Sequence, residues 1–310
     1  MKRNAMPDLS RSGEQSLVQY EQHLRVEVDL SPTSIRNYLS DIRQFMAWCE
    51  RDWSAGQEDE DQMFFSPEHV ATPTITAYRA FLQDRRKLKP ASINRYLVSL
   101  KRYFDWAVNA GLIQRDPARP VKLVGEEKRA PRHITDQEEA ALMAAAEAIG
   151  SLRDRTLVIL MLHTGLRAGE VCSLRREDVV IHKRSGHVKV MGKGNKYREV
   201  PLNITVRNSL MEYLDANESD SGWLFRSSRT GEALTTRALG YIIRKYAGFA
   251  QLPHIRPHDL RHRFGYRMAE DVPLHRLAQI MGHDSLDTTM LYVRGTARDL
   301  QQAVEKIAWE

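Results

Sequence analysis

The sequence predicts a mainly α-helical chain in two parts, the second carrying one small antiparallel β-sheet. Three observations predict it. A helical pattern recurs as a repeat within the first 112 residues. A basic, proline-containing stretch of little periodicity follows. Period-two alternation, the signature of strands, is confined to one short run near residues 187–202.

The repeat comes from aligning SPTSIRNYLSDIRQFMAW (31–48) with KPASINRYLVSLKRYFDW (89–106) at an offset of 58. The two share Pro32/Pro90, Ser34/Ser92, Ile35/Ile93, Tyr38/Tyr96, Leu39/Leu97 and Trp48/Trp106. Each Pro sits just inside a helix start, where its missing N–H costs nothing. Ile35, Tyr38, Leu39, Ile42, Phe45 and Met46 then recur on one helical face, as do Ile93, Tyr96, Leu97, Leu100 and Phe104. Helices near 14–27 and 74–86 complete an all-helical domain over 1–112, with the acidic stretch 52–68 as a loop between its halves.

Residues 113–132 read as a linker, within a stretch holding Pro117, Pro120 and Pro131. The second domain spans 133–310. Its first helix carries Thr135 and Glu138 at capping-box spacing. RTLVILMLHTG reads as a buried helix ended by Gly165, and Arg167 begins the next. Val188 and Val190, then Val200 and Leu202, alternate on either side of the turn GKGN, which predicts a hairpin. Helices follow at 203–216, 235–250, 258–270, 273–282 and 286–293, and a last amphipathic segment ends the chain.

Composition narrows the class of function. No apolar run reaches the roughly 18 residues of a membrane span, and the N-terminus lacks the apolar core of a signal peptide. Cys49 and Cys172 are the only cysteines and sit in no paired motif, so the expected compartment is a reducing cytoplasm. The net charge of +6 is unevenly spread. From Arg85 to Arg132 there are 13 Lys/Arg against 4 Asp/Glu, whereas Glu50 to Glu68 holds 7 acidic residues and one Arg. A basic stretch interleaved with helix-forming apolar residues is the electrostatic footprint expected for DNA. Asn94, Arg95, Lys101 and Arg102 on the outer face of the second repeat helix, with Lys122 in the linker, are its candidate DNA contacts. A solvated helix face describes the same residues equally well.

The candidate chemistry lies in the last 150 residues. Arg167, in TGLRAGE, projects near a helix start that favours an anion, with Glu170 one turn on to orient it. The same spacing also describes a surface ion pair. Lys193 sits between Gly192 and Gly194 at a hairpin tip, placed either to reach into a groove or simply to be solvated. His258 and Arg261, in HDLRH, share one helix face. With His254 and His262 they also have metal-like spacing, although Arg261 would set a fixed positive charge beside any cation. His283 and Tyr292 close the series, and a tyrosine there would ordinarily be a packing residue. Its phenol, with a pKa of roughly 10, attacks only if cations stabilise the phenolate.

Taken together, TGLR with Glu170, GKGNKYREVPL, HDLRH, Gly-His and the late Tyr resemble the tyrosine recombinase (phage integrase) family, in its short two-domain Xer-like members. The resemblance covers nearly the whole chain. It implies a helical core-binding domain followed by the family's mixed α/β catalytic domain. It implies that Tyr292 attacks the scissile phosphate to give a 3′-phosphotyrosyl bond and a free 5′-hydroxyl. Arg167 and Arg261 would hold the non-bridging oxygens, Lys193 would protonate the leaving 5′-oxygen, His258 would assist proton transfer at the tyrosine, and His283 would donate to the phosphate. Strand exchange would pass through a Holliday junction and need no metal or other cofactor. The implied partner is double-stranded DNA with a specific core site, clamped between the two domains. The implied assembly is a synapsed homo-tetramer, or a hetero-tetramer with a paralogue, in which residues 297–310 are donated to a neighbour. The setting is the nucleoid or a mobile element, away from any membrane. His163, Arg263, Met281 and Arg294 depart from the commonest family pattern. Two other readings of the same residues are a non-catalytic DNA-binding protein and a metal-dependent nuclease built on His254, His258 and His262.

Overall fold

The computed structural model describes residues 6–28, 30–54, 64–126, 132–192, 197–217, 222–252, 254–283, 285–292 and 304–305. The chain divides into two compact units, Met1–Lys128 and Arg129–Glu310.

Four helices build the first unit: α1 (Arg11–Val26), α2 (Pro32–Ser54), α3 (Thr72–Ala80, continued by a π turn over Phe81–Arg85) and α4 (Pro90–Asn109). Ser10 caps α1 by accepting from the Gly13 N–H, and α2 and α4 each begin on proline, as the repeat predicts. The apolar positions of the repeat point inward. Ile35, Ile42, Phe45 and Met46 of α2 meet Ile93, Leu97, Leu100, Tyr103 and Phe104 of α4 in one aromatic-rich core. Asp41 and Ser99, equivalent positions of the repeat, touch across this packing: Ser99 Oγ donates to Asp41 Oδ2 at 2.8 Å. Burying a carboxylate in apolar surroundings is costly unless it is paired, and Arg95 supplies the charge at 2.5 Å. Burial still pushes the Asp41 carboxyl up, against the lowering effects of Ser99 and Arg95.

The stretch after α4 is laid along its own unit. Ala118 and Val121 are buried in the helical core. Lys101 Nζ donates to the carbonyls of Ala118 (2.7 Å) and Arg119 (3.0 Å), and Arg79 donates to that of Lys122. Asn94 pairs with the backbone of Val124 in both directions.

The second unit is built on α6 (Leu152–Thr164), buried on nearly all sides and packed by α5 (Asp136–Ile149), α8 (Ile204–Asp215) and α10 (Pro257–Asp271). Thr135 and Glu138 form the anticipated capping box of α5. Three antiparallel strands, β1 (Val179–Ile181), β2 (Gly186–Met191) and β3 (Tyr197–Pro201), lie in the order β1-β2-β3 with Val188 opposite Val200. The hairpin is the expected one. Strand β1 is additional, a three-residue strand too short and too evenly half-buried to show alternation. The short α7 (Ala168–Ser173), α9 (Thr236–Phe249), α11 (Leu274–Met281) and α12 (Leu286–Thr289, followed by a 3-10 turn over Met290–Tyr292) complete the unit.

Three of the four departures from the commonest pattern have a structural role here, and Arg294 lies outside the described residues. His163 Nδ1 meets the Asn203 amide at 3.0 Å. Met281 is fully buried beside Phe264, Leu277 and Tyr292. Arg263, 4% exposed, ties α10 to α5 by donating to Glu139 at 2.6 Å and pairing with Asp136. Losing one partner of a buried pair costs about 3–5 kcal/mol. Glu139 retains Arg267 at 3.1 Å and Asp136 is exposed, so the cost here falls at the lower end. Arg263→Met is accordingly expected to reduce the unfolding free energy by about 3 kcal/mol, read as a lower midpoint in urea titrations followed by circular dichroism.

Candidate active site

The candidate residues of the second unit converge on the C-terminal end of α11. A helix ends with carbonyls that have no intrahelical partner and carry partial negative charge. Three consecutive carbonyls there each receive a different arginine. Arg198 Nε donates to Ile280 O at 3.2 Å, Arg261 Nη2 to Met281 O at 2.9 Å, and Arg167 Nη2 to Gly282 O at 2.6 Å. Arg261 also donates to Gly165 O, at the break that ends α6. The arginines come from β3, α10 and the start of α7, so this one turn gathers three elements that are remote in sequence.

Glu170 balances part of the charge. Its two oxygens accept from Arg198 Nη1 and Nη2 at 2.8 and 2.9 Å, and also from the Arg167 side chain and backbone N–H. Burial pushes its carboxyl up, but the hydrogen bonds from Arg198 and the Arg167 N–H, with both guanidinium charges, outweigh burial and hold it below the usual carboxylate range. The Arg167–Glu170 pair is therefore part of a network and not an isolated surface pair. Arg198 lies inside the GKGNKYREVPL motif, yet the sequence offers no local partner for it. Its role depends on Glu170, 28 residues earlier, and Ile280, 82 later. Gly282 completes the arrangement. It has a φ of +65°, and a Cβ there would sit 2.7 Å from Arg198 Cζ.

Tyr292 is 7% exposed, and its ring lies against Gly265 of α10, where an added Cβ would come within 2.6 Å. Its hydroxyl is 3.0 Å from His262 Nδ1. His283 stacks on the tyrosine ring with centroids 6.2 Å apart, and its Nδ1 is held by Thr289 Oγ1 at 2.8 Å. His258 lies one turn before His262, with ring centroids 4.2 Å apart. Arg261 is 2% exposed, whereas Arg167 keeps 45% of its side chain in solvent.

Burial sets the protonation states. It pushes the Tyr292 phenol up, against the lowering influence of Arg261 and Arg167. It pushes Arg261 down to about 10, helped by Arg167, which still leaves the guanidinium charged at neutral pH. His258 is lowered by the protein packed around it and by Arg261. His262 is lowered furthest, to about 4, by burial and then by His258, Arg261 and His283, so its ring is neutral at pH 7.

Of the sequence-predicted set, Arg167, Glu170, His258, Arg261, His283 and Tyr292 gather in this one unit. Lys193 lies outside the described residues, as does the segment 297–310 apart from Val304 and Glu305. The sequence reading missed Arg198 and weighed His262 only as a metal ligand. His262 instead faces Tyr292, and among the described residues no His/Cys/Asp/Glu group is arranged to hold a metal. The candidate DNA contacts of the first unit are largely engaged within it: Arg95 on Asp41, Arg102 over the Tyr38 ring, Lys101 on two carbonyls and Asn94 on Val124. Lys122 has an exposed side chain.

Comparison with known proteins bears on both units. Residues 132–298 match the phage integrase family, and residues 17–111 match the phage integrase N-terminal SAM-like domain. The chain is similar to tyrosine recombinase XerC of Pelobacter propionicus, 30% identical over 292 residues that cover 92% of each chain. It is also similar to tyrosine recombinase XerA of Pyrococcus furiosus, 34% identical over 224 residues, 69% of this chain and 73% of that one. The fold is like that of the XerH site-specific recombinase solved on its difH substrate before cleavage, with a TM-score of 0.70 over 99% of both chains at 19% identity.

Two outcomes follow from the geometry. Gly265→Ala should displace the Tyr292 ring, so hydrogen exchange in peptides covering 285–292 should rise while α5 and α9 stay protected. His262 should remain neutral in imidazole NMR titrations until the pH nears 4. Its folded value lies below the ordinary 6.5, so the unfolded chain binds the extra proton first. Its contribution to stability is therefore complete above about pH 6.5 and is lost as the pH falls toward about 4.

Proposed function

The chain belongs to the phage integrase family, the tyrosine-type site-specific recombinases that break and rejoin DNA, and on that premise we propose that Tyr292 is its nucleophile and duplex DNA with a specific core site its substrate. Tyr292 Oη attacks the scissile phosphorus, the P–O5′ bond breaks, and a 3′-phosphotyrosyl bond forms. The 5′-hydroxyl of a partner strand then reverses the chemistry. Each step exchanges one phosphoester for another, so the reaction needs no external energy source.

One observation carries this reading: a buried tyrosine sits in the same site as two arginines fixed to consecutive carbonyls of one helix end. A phosphoryl transition state spreads charge over its non-bridging oxygens, and preorganised cations stabilise that charge without rearranging during the reaction. Arg261, rigid and buried, and Arg167, partly exposed, are suited to that work. Glu170 and Arg198 position Arg167. His283, braced by Thr289, donates to the phosphate, and His258 assists proton transfer at the tyrosine. Lys193, which falls between β2 and β3 in the sequence, protonates the leaving 5′-oxygen.

Both units contact the duplex in this proposal, with affinity drawn largely from phosphates and weakened by salt. Strand exchange proceeds through a Holliday junction in a synapsed tetramer, of this chain alone or with a paralogue, and residues 297–310 link neighbours. Among the described residues no helix is long and apolar enough to cross a membrane.

Incubated in EDTA with nicked half-site DNA, the wild-type protein is expected to trap a covalent protein–DNA adduct. Tyr292→Phe should bind the same DNA and trap none. Adduct formation by Tyr292→Phe would reject the assignment of the nucleophile.

A further inference from the structure

The assignment of Tyr292 leaves open which group takes its proton directly. A phenol with a pKa of roughly 10 is ionised in only about one molecule in 1,000 at pH 7, and burial lowers that fraction further here. The proton must therefore leave as the Oη–P bond forms, to a group already within hydrogen-bond reach. His258, to which the motif assigns proton transfer, makes its ring contact with His262. Among the described residues the group at the hydroxyl is His262, with Nδ1 at 3.0 Å from Oη.

Resting on the recombinase reading above, we infer that His262 is a further catalytic residue, the direct acceptor of the Tyr292 proton, with His258 acting from behind it. The phenol donates to Nδ1, so the resting ring carries its own proton on Nε2. In cleavage the Oη–H bond breaks, the proton moves to Nδ1, Oη–P forms, and P–O5′ breaks with the 5′-oxygen protonated by the general acid. In rejoining the imidazolium returns the proton to the departing Oη, as microscopic reversibility requires.

The surroundings fit an acceptor that works only with substrate present. Facing the pair are His258, Arg261 and Tyr266 from α10, Arg167 from the start of α7, and His283 from the loop after α11, with His133 against Tyr266. Burial, and then His258, Arg261 and His283, disfavour an imidazolium while the site is empty. A phosphate brings the opposite charge and raises the basicity of the ring at the moment it is needed.

The test is single-turnover cleavage of the nicked half-site from pH 6 to 9.5, with His262→Phe, His262→Asn and His258→Asn, each carrying tyrosine or a fluorinated, more acidic tyrosine at position 292. Half-site binding and circular dichroism establish that each variant is folded. His262→Phe is expected to cleave about 100-fold more slowly at pH 7, within the usual contribution of a general base. It should bind DNA as wild type does, gain rate steadily with pH, and recover with fluorotyrosine. His262→Asn, which can accept a hydrogen bond but not a proton, should show the same pH signature. A loss that is uniform across pH and not rescued by fluorotyrosine would mean a structural role and overturn the inference. So would an unchanged rate, or a pH signature found only in His258→Asn. Absence of any adduct from wild type would instead overturn the recombinase reading on which the inference rests.

Discussion

The end of α11 is the constraint on which the site depends. Its last carbonyls would otherwise point unsatisfied into the protein, and each instead receives an arginine. A hydrogen bond to a charged donor is worth about 1.5–3 kcal/mol, so the three are strong enough to fix the geometry of α7, β3 and α10 around one turn. The opposing effect is repulsion among three guanidinium groups, which adds to burial in lowering Arg261. The helix dipole and Glu170 offset that repulsion without cancelling it. The result is a fixed excess of positive charge held in place before any ligand arrives. In the proposed reaction an incoming phosphate would relieve that repulsion instead of demanding rearrangement, which is how preorganised electrostatics lower a barrier.

Gly282 shows why the arrangement tolerates so little change. Its left-handed backbone turns the chain away from α11 while leaving its carbonyl directed at Arg167. Its missing side chain is the space that Arg198 occupies. The Gly-His pair in the sequence therefore encodes two different things: room for a positioning arginine, and a histidine stacked on the tyrosine.

Much of this was legible in the sequence wherever the cause is local. Caps, proline starts, the glycine that ends α6 and the hairpin each depend on residues within a few positions of one another, and each lies where its signal puts it. The repeat was legible too, because both copies bury the same face. What was not legible depends on distant partners. Arg198 gains its meaning from residues 28 and 82 positions away, and His262 from one 30 positions away. Strand β1 has no alternation to betray it. The basic stretch of the first unit is the instructive case. Its count of cations was correct, but Lys101 is held by a backbone segment and Arg95 is paired with a buried aspartate. Charge counted along a chain is an upper bound on charge offered to a partner.

The neutral state of the tyrosine follows from the same physics. Beside a buried arginine, a second cation on His262 is doubly disfavoured, by desolvation and by like charge. The ring therefore rests neutral, and the phenol facing it rests protonated and almost wholly out of solvent. If Tyr292 is the nucleophile, as proposed, this condition keeps it from reacting before substrate binds. Binding and activation then become one event, because the anion that neutralises the arginines would also stabilise the imidazolium. On this argument the excess charge around α11 serves the chemistry twice. It attracts the phosphate, and until the phosphate arrives it helps burial keep a second proton off His262.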